Sequence, residues 1–463
     1  MVCLARALGA LLVVLLLLPW SAPPRAQTSD TLTSDMLISD AQAPPVKGAF
    51  GLDVRFRDEL LHNALDFNTD ANSGPASDSH YYRLRVRASA KAILRWGPVV
   101  CARVTAEPIK FVDPYLTPAK TEVILDNAYL DIPRLPFLPA RLRAGRFDYP
   151  LGEGFLFMDG GPGDGSRSYY ENAVVLELDN SALGLGEGTS SLIAIRNLMR
   201  DPMVLANDSE RLMIEKDETA FGLHLAIPKF GAKNELLYIY KEEMHGADKA
   251  STPPDTRLHT LGFRTTGDLP WQVSCMAEGA YQFGERLDWR TGEKLADQHG
   301  VGAHGWASRS FTAPLMPKLT IGAIGLSGDN PRTDCYEGWS PLFSRWPMWS
   351  ELCIYSLILE QGRVAYWQNL VSLHAALSLR LNAAIGFSYT CRYLRAVHGL
   401  PAGTAASLGT GIERGVLHIW QLTAALSQHM SMRLIAERLA PGDFYAAPRD
   451  DAYFVRWEIA VQR

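Results

Sequence analysis

The sequence predicts an all-β protein, a transmembrane antiparallel β-barrel of about eighteen strands with long extracellular loops and short periplasmic turns. Three observations predict it. Segments of nine or more residues alternate apolar and polar side chains from Gly48 onward, the connections between them alternate long and short, and the chain opens with the three-part layout of a secretory signal.

Taken in order, Arg6 precedes an apolar run from Leu8 to Leu18, a break at Pro19 and a small residue at Ala26. That run is too short to span a bilayer as a helix, for which about twenty residues are needed. Residues 1–26 are therefore expected to be a cleaved signal peptide. Residues 27–47, rich in Thr, Ser, Asp and Pro, read as a flexible periplasmic leader. The barrel is expected over 48–463, as one domain.

Its first strand places Leu52, Val54 and Phe56 on one face against Asp53, Arg55 and Arg57 on the other. The second sets Tyr82, Leu84, Val86, Ala88 and Ala90 against Arg83, Arg85, Arg87, Ser89 and Lys91. SLRLNAAIGFSYT and AYFVRWEIAVQ alternate in the same way late in the chain. Each is long enough to cross a membrane as a tilted strand.

The gaps after odd-numbered strands are long, near 62–80, 108–120, 150–171, 197–216, 244–256, 287–297, 328–361, 393–413 and 441–451. Those after even-numbered strands are short, near 95–98, 133–139, 180–187, 228–232, 268–270, 308–315, 376 and 428. An even strand count with this rhythm places both termini in the periplasm of a bacterial outer-membrane barrel. Lipid cannot satisfy a free strand edge, so the first and last strands must pair.

Arginine is the first candidate constellation. Arg55, Arg57, Arg83, Arg85, Arg87, Arg141 and Arg143 fall on polar faces of the first five strands. Guanidinium groups bind carboxylates through paired hydrogen bonds, so this wall would guide an anionic solute. The plainer reading pairs these arginines with Asp53, Glu59, Asp126 and Asp131 across strands, and the two readings are compatible. Arg143 and Arg146 have opposite parity, and a bulge at Gly145 would turn both inward.

The longest connection, residues 327–366, carries Trp339, Phe343, Trp346 and Trp349. Such a composition fits a packed functional loop, either a lid or constriction or an apolar filling of the barrel mouth. Asp159–Gly165 (DGGPGDG) lacks the spacing of a helix-loop-helix calcium site and reads as a tight turn. Cys335 and Cys353 share the long loop and are near enough in sequence to pair, but isolated buried cysteines are the commoner arrangement. The histidines are scattered, with no His-Glu-x-x-His and no Gly-x-Ser-x-Gly pattern, so neither a metal, a cofactor nor an enzyme is called for. A net charge of −5 makes nucleic acid an unsuitable partner.

Several stretches resemble the alginate export family of outer-membrane porins. They are LDNAYLDI (125–132), LRAGRFDYPLGEG (142–154), DGSRSYYENAVVLELD (164–179), EGWSPLFSRWPMWSELCIYS (337–356), GRVAYWQNL and ERLAPGDFYAAPRDDAYFVRWEIAV, in the family's order. The resemblance implies a monomeric eighteen-stranded barrel in outer-membrane lipid. Through its arginine-rich lumen an anionic polysaccharide or smaller anionic solute would diffuse. By position in the motifs, Arg143, Arg146 and Arg167 become the preferred lumen or constriction residues. One departure is the C-terminus, Val461-Gln462-Arg463, where the family places an aromatic residue for the outer-membrane assembly machinery. The alternatives are a plugged barrel that binds or hydrolyses a surface ligand, and an exported soluble β-protein.

Overall fold

The computed structural model describes residues 46–463, apart from 71–76, 96, 115, 116, 118, 159–169, 185, 208–213, 230, 246–253, 402, 403 and 406. The expected signal peptide, almost all of the leader, the DGGPGDG turn and Arg167 lie outside the described residues.

Nineteen antiparallel strands form one sheet. They are β1 (Val46–His62), β2 (Ser79–Leu94), β3 (Val99–Asp113), β4 (Lys120–Ile132), β5 (Ala140–Asp148), β6 (Tyr170–Asp179), β7 (Thr189–Asn197), β8 (Val204–Asn207), β9 (Asp217–Lys229), β10 (Ala232–Met244), β11 (Asp255–Leu269), β12 (Val273–Leu287), β13 (Lys294–Ser310), β14 (Lys318–Leu326), β15 (Leu370–Arg380), β16 (Ile385–Arg395), β17 (Glu413–Ala425), β18 (Met430–Pro441) and β19 (Ala452–Gln462). Eighteen of them close a barrel, with β1 paired to both β2 and β19. The seam continues past the last strand, where Leu52 and Arg463 exchange both backbone hydrogen bonds, at 2.9 and 2.8 Å.

Alternation settles which face is which. Phe50, Leu52, Leu223, Leu236, Leu261 and Phe263 point outward and are exposed, as a lipid-facing belt requires. Their neighbours Arg55, Arg57, Glu59, Arg83 and Arg85 are buried inside. A second, apolar core fills the lumen at the end where the long connections lie, joining strand ends such as Leu61, Ile239, Leu326, Leu417 and Phe454 to loop residues.

Two connections turn into that core, and each leaves a gap in the wall that another segment covers. β5 stops at Asp148, and the loop after it buries Phe155, Leu156 and Phe157. The outer half of β4 then pairs with β8, a strand inside an expected loop. β14 stops at Leu326, and Tyr336 of the following loop bonds to the freed edge of β13, with His299 N to Tyr336 O and Tyr336 N to Asp297 O both 2.8 Å. Unpaired backbone amides at membrane depth are too costly to leave open.

Three expectations are corrected. SLRLNAAIGFSYT is two strands, not one, because Asn382 Oδ1 accepts from the backbone N of Ala384 and Ile385, each at 2.8 Å, and closes a turn between β15 and β16. Four turn residues preserve the alternation, so the reversal leaves no trace in the pattern. β3 runs through Pro108 to Asp113. No register shift occurs at Gly145 on either neighbouring strand, so Arg143 and Arg146 stay on opposite faces. Cys335 and Cys353 are both free thiols, the arrangement the sequence favours.

Candidate functional site

The inner wall of β1, β2, β3 and β19 is an array of ion pairs. Arg85 reaches Asp53 at 2.8 Å, Arg83 reaches Glu59 at 3.3 Å and Arg57 reaches Glu458 at 2.6 Å. Arg55 lies 3.8 Å from Glu107 and 3.9 Å from Glu458. Arg87 is 3.9 Å from Asp126 and donates from Nε to Thr105 Oγ1 at 3.3 Å. Arg141 meets Asp131 at 2.5 Å. The four carboxylates anticipated from the sequence all hold arginines. Between β1 and β2 arginines face each other, Arg55 opposite Arg85 and Arg57 opposite Arg83, so the pairs to Asp53 and Glu59 run diagonally. Across the seam Arg57 faces Glu458 and Glu59 faces Arg456.

Two predicted residues behave differently. Arg143 has no ion pair among the described residues and lies 5.0 Å from the Phe147 ring and 5.9 Å from that of Tyr129. Arg146 is 1% exposed, on the other face of β5. There it binds Asp201 at 2.6 Å and Asn172 Oδ1 at 2.8 Å, over the ring of Tyr170. It ties the inward-leaning end of β5 to the segment that replaces it in the wall.

Arg103 and Arg456 belong to the same wall and were not anticipated. Arg103 joins Asp126 at 3.0 Å to Asp148 at 2.7 Å. Arg456 joins Glu59 to Glu351 of the long loop. Both sit at inward positions of their strands, the one sequence signal that could have found them.

The long loop, residues 327–369, crosses the lumen from wall to wall. On one side Gln282 of β12 exchanges hydrogen bonds with the backbone of Ser340, at 2.8 and 2.9 Å. Next along, Lys241 of β10 donates to the carbonyl of Leu342 at 2.8 Å, and Arg345 reaches Glu218 of β9 at 2.7 Å. On the far side Glu437 of β18 accepts from Ser350 Oγ at 2.5 Å, Glu351 N at 3.0 Å and Leu352 N at 3.1 Å. Arg414 of β17 pairs with Glu360.

The four aromatic residues singled out from the sequence are part of this crossing. Trp339 stacks on Phe155 at 5.2 Å, and Phe343 on Phe157 at 4.9 Å. Trp346 donates to the carbonyl of Gly154 at 3.0 Å. Trp349 packs edge-on against Trp367 at 5.1 Å. Trp339 also lies so close to Gly302 of β13 that a Cβ there would be 2.7 Å from its ring. Burial in this layer pushes the Cys353 thiol up to about 12.

A closed barrel of eighteen strands with an inward-folded loop defines a porin-type channel, and known proteins agree. The chain resembles the outer membrane protein OprD from Pseudomonas aeruginosa, at 12% identity over 89% of this chain and 94% of that one, with a TM-score of 0.52. It also resembles P. aeruginosa OccK2 (OpdF) in complex with glucuronate, at 12% identity over 90% and 97%, TM-score 0.54. Acinetobacter baumannii OccAB2 matches at 9% identity over 90% and 98%, TM-score 0.53. No curated protein sequence matches the chain. The sequence profile described as "Alginate export" matches residues 47–456, and the chain belongs to that family. It is an outer-membrane channel protein, and the family is one of channels, not enzymes.

Proposed function

We propose that the chain is a monomeric channel through which anionic saccharides or related anionic solutes diffuse, with the basic inner wall setting selectivity and the 327–369 loop narrowing the path. The observation that carries this reading is the run of inward arginines on neighbouring strands, at Arg55, Arg57, Arg83, Arg85, Arg87, Arg141 and Arg143. Arg146 supports that wall from behind, and Arg167, outside the described residues, is kept as a candidate by its position in the family motif. Trp339, Phe343, Trp346 and Trp349 give the crossing loop its rigidity, which a constriction needs. Glucuronate on a structural neighbour is the kind of solute this reading expects. Export through a cleaved signal, insertion by the outer-membrane assembly machinery and a lipid-facing belt complete the proposal.

Reconstitution in planar bilayers tests it. Stepwise conductance with anion preference at neutral pH is the expected result; cation preference would overturn it. The apolar layer across the lumen favours a second reading, a plugged barrel that binds a surface ligand. A protein that inserts but never conducts would establish that one.

A further inference from the structure

The wall of β14, β15 and β16 differs from the arginine wall in one respect that bears on solute recognition. These three consecutive strands contain no Asp or Glu. Arg395, at the outer end of β16, pairs with Glu413 of β17 at 3.5 Å. Lys318, Arg380 and Arg392 make no ion pair among the described residues, whereas arginines of β1 and β2 are matched by carboxylates.

Buried polar atoms gather on this wall. Nε and Nη1 of Arg392, Nδ1 of His374 and Oγ of Ser372 are buried and have no hydrogen-bond partner among the described residues. His374 and Arg392 are directly opposed in the ladder, and Ser372 is two residues along on the same face. Directly opposed side chains are about 5 Å apart, and same-face neighbours on one strand about 7 Å apart. The His374 ring lies against Gly322 of β14, where a Cβ would be 2.4 Å from Cε1 and 2.6 Å from Nε2, so glycine there lets the ring settle against the wall.

The nearby carboxylates are committed elsewhere. Glu437, whose charge acts on Arg392, is held by Ser350, Glu351 and Leu352 of the crossing loop. Glu278 is taken by His304 at 3.2 Å and Arg264 at 3.5 Å. A buried donor left unmatched costs about 1–3 kcal/mol, more for a charged group, so such a cluster points to a partner that arrives from outside.

We infer that Arg392, His374 and Ser372 form a carboxylate-binding subsite of the lumen beside the crossing loop, at which a hydroxylated carboxylic acid is held. The guanidinium fork takes the carboxylate, and Ser372 and the His374 nitrogen take a further oxygen. Inward along the same wall follow Thr390, then Ser378 and Ser388 level with Lys318, then Arg380 near the turn that closes the periplasmic end. Hydroxyls between unpaired cations suit a solute whose hydroxyl groups surround its acid.

This inference rests on the proposed anion channel and goes beyond it by locating the contact away from the ion-paired wall. The test is block of single-channel current in planar bilayers by added glucuronate, with glucose as the neutral arm. Arg392→Gln is expected to weaken glucuronate block about tenfold or more, and Arg392→Lys to restore part of it. Glucose should block neither protein. Equal block of wild-type and Arg392→Gln channels by glucuronate would overturn the subsite and leave the channel reading standing. Equal block by glucose would overturn the carboxylate assignment. Wild-type channels without anion preference would remove the channel reading itself. If Arg392→Gln fails to insert, the double variant Ser372→Ala with His374→Ala carries the same test, and unchanged block there would equally overturn the proposal.

Discussion

Two walls of one barrel use arginine in opposite ways. On β1, β2, β3 and β19 each arginine sits among carboxylates, with Glu59 alone touched by Arg57, Arg83 and Arg456. On β14, β15 and β16, which carry no acids of their own, Lys318, Arg380 and Arg392 make no ion pair among the described residues, and only Arg395 at the outer end reaches an acid, Glu413 of β17. A saturated wall is held in place by its own charges, because a buried pair mainly compensates its own desolvation, so it shapes the path and its field without offering an unpaired cation as a contact for the solute. An acid-free wall keeps its field for whatever enters. Counting arginines therefore does not locate the binding surface; counting their partners does.

The largest effect should come from breaking the saturated wall. Glu59→Gln leaves three arginines sharing one lost charge at a position with 0% exposure. It should destabilise the barrel by about 3–5 kcal/mol, the usual cost of breaking a buried pair. Arg392→Gln removes a buried charge that has no pair, so it should cost nothing measurable or stabilise the fold. Urea unfolding of the detergent-solubilised protein compares the two. Similar losses in both variants would mean that the walls are not different in kind.

Much of this was legible beforehand, and particular residues show where legibility ended. Alternation on the strand holding Arg55 and Arg57 fixed inside and outside correctly, because lipid and lumen impose opposite polarity on successive side chains. The same rule named Asp53, Glu59, Asp126 and Asp131 as partners. It was silent on Arg392, since CRYLR alternates no differently from YYRLR. What separates them is the absence of acids on two neighbouring strands, and neighbours count only once register is known. Alternation also runs unbroken through the four-residue turn at Asn382, so a reversal hid inside one apparent strand. The destination of the 327–369 loop was legible only as aromatic content. Its inward course depends on anchors from β9, β10, β12, β17, β18 and β19, which are far away in sequence.

That loop joins the two sides of the barrel, so loosening it sharpens the comparison next. Phe343 is 0% exposed, stacked on Phe157, with Lys241 Nζ 4.3 Å from its ring. Phe343→Ala should cost the docked loop about 3–5 kcal/mol. Larger and noisier single-channel conductance is the expected readout, and unchanged open-channel noise would argue that the anchors on β18 and β19 suffice. Gly302→Ala is the milder version. Its new methyl group must displace Trp339, a strain of about 1–3 kcal/mol. Trp339 fluorescence should shift with little change in the rest of the barrel.

The smallest effect is a test by pH at the extracellular rim, outside both walls. Lys216, just before β9, is 3% exposed and donates to the carbonyl of Pro254. Burial lowers its ammonium to about 8, with Glu243 and Asp255 favouring the charge and Arg363 and Arg286 opposing it. The folded value lies below the ordinary lysine value, so between the two the unfolded chain binds more protons. Stability should therefore rise with pH, the cost of burying the charge being fully present below pH 8 and relieved above it. The gain from pH 7 to pH 9 should be about 1 kcal/mol. Lys216→Met should abolish that slope, while neutralising Arg392, which is not among the charges that act on Lys216, should leave it intact. A slope that survives Lys216→Met would assign it to another group.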